Sequence, residues 1–338
     1  MPRIADLSLS LPVLAAPMAG GATTPALVTA AAGAGSLGLL AGGYRGAPQL
    51  AEQIREVRSG TELFGVNLFA PNPIPVNPAA YTRFALQLAP VARRFDAALP
   101  PRPVEDDDGW SEKLEVLLSD PVPLVSFTFG LPPTGAIRAL RRTGSAVAQS
   151  VTTAQEARWA QDVGVDLLVV QGPGAGGHSA VFDPAVALLP RTLAEVVREV
   201  RGATRLPVIA GGGLADAAGV AEVLRAGAVA VAVGTALLLA DEAGTSAVHR
   251  RAIAERTGPS RMTHAFTGRP ARGLANEFMA RFDGLAPFGY PALHHLTGPL
   301  RKAAAAAGDP EWVHLWAGTG HHAAAPGPVA EILALMAV

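Results

Sequence analysis

The sequence predicts a (β/α)₈ barrel with two additions. Three observations carry this: the length, the number of apolar runs, and their alternation with helical stretches. The chain has 338 residues, and a barrel alone takes roughly 250, so there is room for an appendage. Eight short apolar runs occur, at 13–18, 36–42, 64–70, 124–130, 146–152, 167–172, 207–213 and 229–234. Most do not alternate apolar with polar residues, the pattern of parallel strands covered on both faces. Amphipathic stretches lie between them, as repeated βα units require. A doubly wound open sheet is the structural alternative.

Taken in order, residues 7–44 carry no charge. Pro12, Pro17 and Pro25, with scattered glycines, interrupt them, whereas a spanning helix needs about 20 continuous apolar residues. They read as strand, turn, helix, strand. The mean hydropathy of +0.29 then reflects strands buried on both faces. The first twelve residues hold one Arg and no apolar core before a cleavage site, a poor signal peptide, so a soluble, cytoplasmic protein is expected. Residues 71–123 are long for one βα connection. They contain Pro71, Pro73, Pro75 and Pro78, a helical run near 79–95, an acidic turn at 105–108 read as solvated loop, and a helix near 110–118. Pro132 and Pro133 suit the start of a helix running to Arg142. Thr153 is placed to cap a helix over Ala154–Val163, with Glu156 completing a capping box. A helix over 215–226 stops at Gly227. Residues 1–240 are therefore assigned to the barrel, with 71–123 as an extended connection. Residues 241–338 are assigned to a mainly helical extension over its mouth. Its last run, 329–338, is an apolar helix that needs a partner surface.

Composition excludes several chemistries. With 27 basic and 28 acidic residues the net charge is −1, which gives no global attraction to nucleic acid or anionic membrane. The 49% hydrophobic content supplies a large core. There are no cysteines, so disulfides, thiolate metal sites and a cysteine nucleophile are absent.

Barrel enzymes place their chemistry at the C-terminal ends of the strands. Here those ends carry no Asp, Glu or Lys and one His. A two-carboxylate glycosidase, a Schiff-base aldolase and a multi-histidine metal site therefore have no material. Such a mouth is either silent or delegates its chemistry to a cofactor. The glycines favour the cofactor. Gly211, Gly212 and Gly213 end the seventh strand, and Gly234 with Thr235 ends the eighth, the two positions where barrels bind phosphate on backbone N–H groups. Asn67 and Gln171 could bond the edge of a planar heterocycle. A phosphate plus a heterocycle edge suggests a mononucleotide, and FMN is the simplest guess. His178, in the Gly-rich loop 172–180, is the one titratable group of this ring and a candidate general base. The pairs His294-His295 and His321-His322 do not share a helix face and read as structural, unless one of them belongs to a lid.

These residues also resemble a known family. LPVLAAPMAGG at 11–21, FGVNLFAP at 64–71, VSFTFGLP at 125–132, VVQGPGAGGHSA at 169–180, LPVIAGGGLAD at 206–216 and AVGTALL at 232–238 are similar to class I nitronate monooxygenases. The likeness continues through AFTGRPARG at 265–273 and LWAGTG at 315–320. It implies a barrel holding FMN, with Ala16, Pro17 and Met18 lining the flavin. Asn67 and Gln171 would bond it, Gly176 and Gly177 would lie beside it, and Gly212, Gly213, Gly234 and Thr235 would bind its phosphate. His178 would be the catalytic histidine. The implied reaction takes a nitronate and O₂ to a carbonyl compound and nitrite. A homo-oligomer is compatible with this reading, and no nucleic-acid or membrane partner is expected. Departures are Gly174 where an acidic residue is common, Thr128 where a His is common, and Tyr290 as the one tyrosine of the C-terminal part. Two other readings stand beside it: an NAD(P)H-dependent flavin oxidoreductase acting on quinones or enoyl thioesters, and a flavin-binding barrel without turnover.

Overall fold

A computed structural model describes residues 9–186 and 188–337. Residues 1–8, which carry most of the leader reading, and Val338, the end of the last predicted helix, lie outside them. Eleven strands are numbered in chain order. Eight of them close a parallel barrel: β1 (Val13–Ala15), β2 (Gly38–Ala41), β3 (Phe64–Phe69), β4 (Leu124–Thr128), β5 (Ala146–Val151), β6 (Leu167–Gln171), β8 (Val208–Gly211) and β9 (Ala230–Val233). Every one falls inside its predicted run. Closure is made by β9 against β1, with Val13 opposite Val231 and Ala15 opposite Val233, which excludes the open sheet. The remaining three, β7 (Gly177–His178), β10 (Ser260–Thr263) and β11 (Ala271–Leu274), form a small antiparallel sheet in the order β10-β11-β7.

Period-two alternation explains where the barrel is full and where it is hollow. Inward-facing Leu14, Leu39, Leu124, Leu167 and Ile209 fill the lower interior. The inward positions nearer the C-terminal ends of the barrel strands are small or polar, among them Asn67, Ser126, Ser150, Gly211 and Ala232. Large side chains below and small ones above leave a cup at the C-terminal ends. Outward residues such as Val13, Val66, Val125, Val147 and Val231 pack under the helices.

The predicted helices form with local adjustments. Thr153 caps Ala154–Val163, accepting from Glu156 N at 3.1 Å. The capping box does not close. The Glu156 carboxylate instead accepts from Thr152 N (2.6 Å), Thr152 Oγ1 (2.8 Å) and Phe182 N (2.8 Å). Its burial makes these bonds worth more than one to the exposed cap. The helix predicted at 215–226 spans Ala217–Arg225, because Asp216 takes the capping role.

The two segments outside the βα repeat meet in a second core. Phe84 and Leu88 of the helix Pro78–Arg94 join Phe266, Phe278, Leu293 and Leu296. The acidic turn is not simply solvated: Asp106 pairs with His295 at 2.7 Å, and Asp108 pairs with Lys113 at 2.7 Å and accepts from Tyr44 N at 2.9 Å. The last helix, Val329–Met336, finds its partner surface on the outside of the barrel, against the helix Pro25–Gly33 and β1, with Val329 and Leu333 fully buried. No helix among the described residues is long and apolar enough to cross a membrane.

Candidate active site

A cavity of about 630 Å³ opens at the C-terminal ends of the barrel strands. All twelve residues singled out from the sequence border it. They are Ala16, Pro17 and Met18 after β1, Asn67 on β3, Gln171 on β6, Gly176, Gly177 and His178 in the next loop, Gly212 and Gly213 after β8, and Gly234 and Thr235 after β9.

The glycines form one wall. Gly212 and Gly213 have φ of +120° and +78°, backbone that L side chains rarely adopt. A Cβ on Gly176 would lie 2.6 Å from Gly318 N. Among the described residues, no protein acceptor meets the backbone N–H of Gly212, Gly213, Gly234 or Thr235. Free donors converging at the ends of two adjacent strands are what an anion requires. The segment around Gly318 crosses this wall, with Gly318 N donating to Thr235 Oγ1 at 2.9 Å and Thr319 N to the Gly174 carbonyl at 2.9 Å. Thr319 Oγ1 would meet a Cβ on Gly174 at 2.7 Å, so a side chain there would require the Thr319 hydroxyl to turn away.

The two amides are partly committed to the protein. Asn67 Nδ2 donates to Ser126 Oγ (2.8 Å) and Thr128 Oγ1 (3.0 Å), leaving its Oδ1 without a protein bond. Thr128, the departure from the family pattern, thus fixes the Asn67 side chain. Gln171 Nε2 donates to the His178 carbonyl (3.0 Å), and Gln171 Oε1 accepts from Ala180 N (2.8 Å). Gln171 therefore shapes the histidine loop, with one N–H and one lone pair left for a ligand.

His178 is set on β7, its backbone opposite Ala271 of β11. Its ring is boxed by Phe129, Tyr290 and Trp316, with centroids 5.7, 5.8 and 5.6 Å away, and its Nε2 lies 2.9 Å from Thr267 Oγ1. Burial, reinforced by the Arg269 and Arg301 charges, pushes its pKa down to about 3. It is neutral at ordinary pH and available as a base.

The reading of the mouth as nearly free of ionisable groups holds for the strand ends alone. The C-terminal segment brings His249, His294, His314, Arg301 and Lys302 to the same cavity, and the loop after β2 brings Tyr44. His294 stacks on Tyr44 with ring centroids 4.2 Å apart, so the His294-His295 pair splits: one lines the cavity, the other holds Asp106. Burial is the main cause of the shifts here. It drives His249 to about 4 and His294 and His314 well below the usual range, and it raises Tyr44 to about 12 and Tyr290 well above 10. Arg301, 5% exposed, donates to Thr297 Oγ1, His314 Nδ1 and the His294 carbonyl at 3.0, 3.0 and 2.9 Å. Arg269, fully buried, stacks at 4.1 Å over Phe129 and donates to the Val181 carbonyl, with Nε and Nη1 unpartnered. Both guanidinium pKa values are pulled down by burial, to about 10, and stay charged at neutral pH. No carboxylate lines the cavity among the described residues. It is an apolar cup, one end ringed by amide donors and the other biased positive. Helical spacing was the signal available for this second set: positions 294, 298 and 301 fall on one face of the helix Ala292–Ala306.

Comparisons with known proteins cover nearly the whole chain. A sequence model of the nitronate monooxygenase family matches residues 2–337. The nitronate monooxygenase of Pseudomonas aeruginosa is 36% identical over 97% of this chain and 95% of its own length. A probable nitronate monooxygenase of Staphylococcus saprophyticus is 33% identical over 92% and 89%. Among solved structures, nitroalkane oxidase from Streptomyces ansochromogenes superposes with a TM-score of 0.91 at 40% identity, covering 97% of this chain and 95% of the other. FabK from Thermotoga maritima superposes with a TM-score of 0.75 at 25% identity, over 99% and 94%.

Proposed function

This chain belongs to the nitronate monooxygenase family, and from that premise we propose that its cavity holds FMN and oxidises alkyl nitronates with O₂ to carbonyl compounds and nitrite. Neutral nitroalkanes enter the same path once a proton is removed. The observation that carries the reading is the conjunction, in one carboxylate-free cavity, of four free backbone donors and a neutral, half-buried histidine.

The residues present fit the cofactor. The N–H groups of Gly212, Gly213, Gly234 and Thr235 would hold its phosphate, and the lack of a Cβ at Gly176 lets the Ala317–Gly318 main chain close against that wall. Asn67 Oδ1 and the spare bonding capacity of Gln171 would meet the ring edge, with Ala16, Pro17, Met18 and Gly177 beside it. When bound, the flavin supplies the electron acceptor and the place where oxygen reacts. The chain's own side chains do the rest. The Arg269 and Arg301 charges favour an anionic nitronate in a site too dry to screen them. His178 takes the α-proton of a neutral nitroalkane, and the anion formed beside it stabilises the imidazolium. Phe129, Tyr290 and Trp316 exclude water and fix the imidazole plane.

Purified protein should be yellow and release FMN on heating. Mixed anaerobically with a nitronate it should bleach, and oxygen should then yield nitrite. Rapid bleaching by NADH with no response to nitronates would replace this reading by the oxidoreductase one.

A further inference from the structure

Thr267 has no counterpart among the residues singled out from the sequence, yet it makes the direct polar contact to the His178 ring. The residue is 1% exposed. Three groups surround its hydroxyl: His178 Nε2 at 2.9 Å, the Arg269 carbonyl at 3.2 Å and the Arg269 N–H at 3.4 Å. A hydroxyl has one proton to give and two lone pairs. The Arg269 carbonyl can only accept and has no other donor among the described residues, so it takes that proton. The lone pairs then face Arg269 N–H and Nε2, and Nε2 must bring a hydrogen of its own. Among the described residues no hydrogen bond reaches His178 Nδ1.

We propose that Thr267 is a positioning residue that holds His178 as the Nε2–H tautomer, so that Nδ1 is the lone pair presented to the substrate. This rests on the reading of His178 as the base. In the step it serves, the C–H bond breaks, its electrons pass into the C=N bond of the nitronate, and the proton goes to Nδ1. The imidazolium keeps its Nε2–H on Thr267 throughout. The main chain supports the arrangement: β11 pairs Ala271 with His178, and Ser179 N donates to the Pro270 carbonyl at 2.8 Å. The Thr267–Arg269 turn and the His178 loop are thereby one unit, and the hydroxyl cannot drift from the ring without breaking that sheet.

The test has two parts. In ¹⁵N-histidine-labelled wild type, long-range ¹H–¹⁵N correlation, assigned by loss of the His178 signals in His178→Asn, should show Nε2 protonated and Nδ1 bare. Nδ1 protonated in the wild type would overturn the proposal before any variant is made. Thr267→Val keeps the shape and removes the hydroxyl. It should shift His178 toward a mixture of tautomers and lower kcat/KM for a neutral nitroalkane by about 10- to 100-fold, below the loss of up to about 10⁴ known for a fully mis-set catalytic histidine. A preformed nitronate should lose less than about twofold, since no proton is taken from it. Thr267→Ser should recover both the tautomer and the rate. Equal losses on the two substrates, or Val behaving like Ser, would overturn it. If His178→Asn itself spares neutral nitroalkanes, the base assignment falls, while the tautomer readout still judges Thr267 on its own.

Discussion

The floor and the roof of the cavity are built from different materials. The floor comes from strand ends and the turns after them: glycines, amides, small hydroxyls and free backbone donors, with no charge. The roof comes from the loop after β2 and the C-terminal segment: Tyr44, His249, His294, Arg301, His314 and Trp316. Backbone donors on rigid strand ends keep their place whatever the pH, which suits a cofactor held through many turnovers. Side chains carried on a helix and long loops can be exchanged without disturbing the barrel, which suits the choice of substrate. On the proposed function, cofactor binding falls to the floor and substrate choice to the roof, in separate stretches of the chain. His178 sits at the seam, on a strand that pairs with the roof while its loop is fixed by Gln171 of the floor.

The largest expected effect is on the floor. Gly176→Val places side-chain atoms where Gly318 N stands and should weaken FMN by about 100-fold or more, equivalent to about 2.7 kcal/mol. Flavin fluorescence titration checks it, and a variant that keeps its colour would break the assignment of this wall to the phosphate. Next, His178→Asn should retain flavin and lose about 10²-fold on neutral nitroalkanes, with a smaller loss on nitronates. Steady-state assays on the two substrate forms measure this. In the roof, Arg301→Met removes a buried charge that no carboxylate balances. It should raise KM for a nitronate by about tenfold, a charged hydrogen bond being worth about 1.5–3 kcal/mol, and should also let the His178 pKa rise.

Acid stability sharpens the same contrast. His178, His249, His294 and His314 are all held below 6.5 by burial. The unfolded chain therefore takes up protons below pH 6.5 that the folded chain refuses, until near pH 3–4 at His178 and His249. Stability is full above 6.5 and falls as pH drops through that window, by up to about 1.4 kcal/mol per pH unit for each histidine. Denaturant midpoints between pH 7 and 4 should show it, and His314→Asn should flatten the slope. Smallest is His295→Ala, which breaks the partly exposed pair with Asp106. It should cost less than about 1 kcal/mol in a thermal melt and leave flavin binding unchanged.

The floor was legible in the sequence and the roof was not, for a physical reason. Parallel strands buried on both faces leave unbroken apolar runs, and an anion site on backbone donors leaves glycines at strand ends, so both signals are local. Arg301 reaches the cavity because a helix 60 residues beyond the barrel folds back onto it. Tyr44 meets Tyr290 and His294 across more than 240 positions. The spacing of 294, 298 and 301 marks a shared helix face, but nothing local says that this face turns toward the barrel. Asp106 and Asp108 looked like solvated charge because their partners, His295 and Lys113, are defined by folding. Glu156 offered a good capping box and was drawn instead to three buried donors. The twelve residues come together around one cavity, yet Thr267, which lies within the segment AFTGRPARG, showed no link to His178 until the small sheet brought the two together.

The central claim is that a neutral histidine at the seam passes a proton so that a flavin on the floor can be reduced. Anaerobic stopped-flow bleaching with carbon-deuterated neutral nitroethane, beside its preformed nitronate, tests this most directly. Deuterium should slow bleaching severalfold with the neutral substrate, and His178→Asn should slow that reaction about 10²-fold while the nitronate still bleaches the flavin. Bleaching by the neutral substrate that is insensitive to both deuterium and His178→Asn would contradict it.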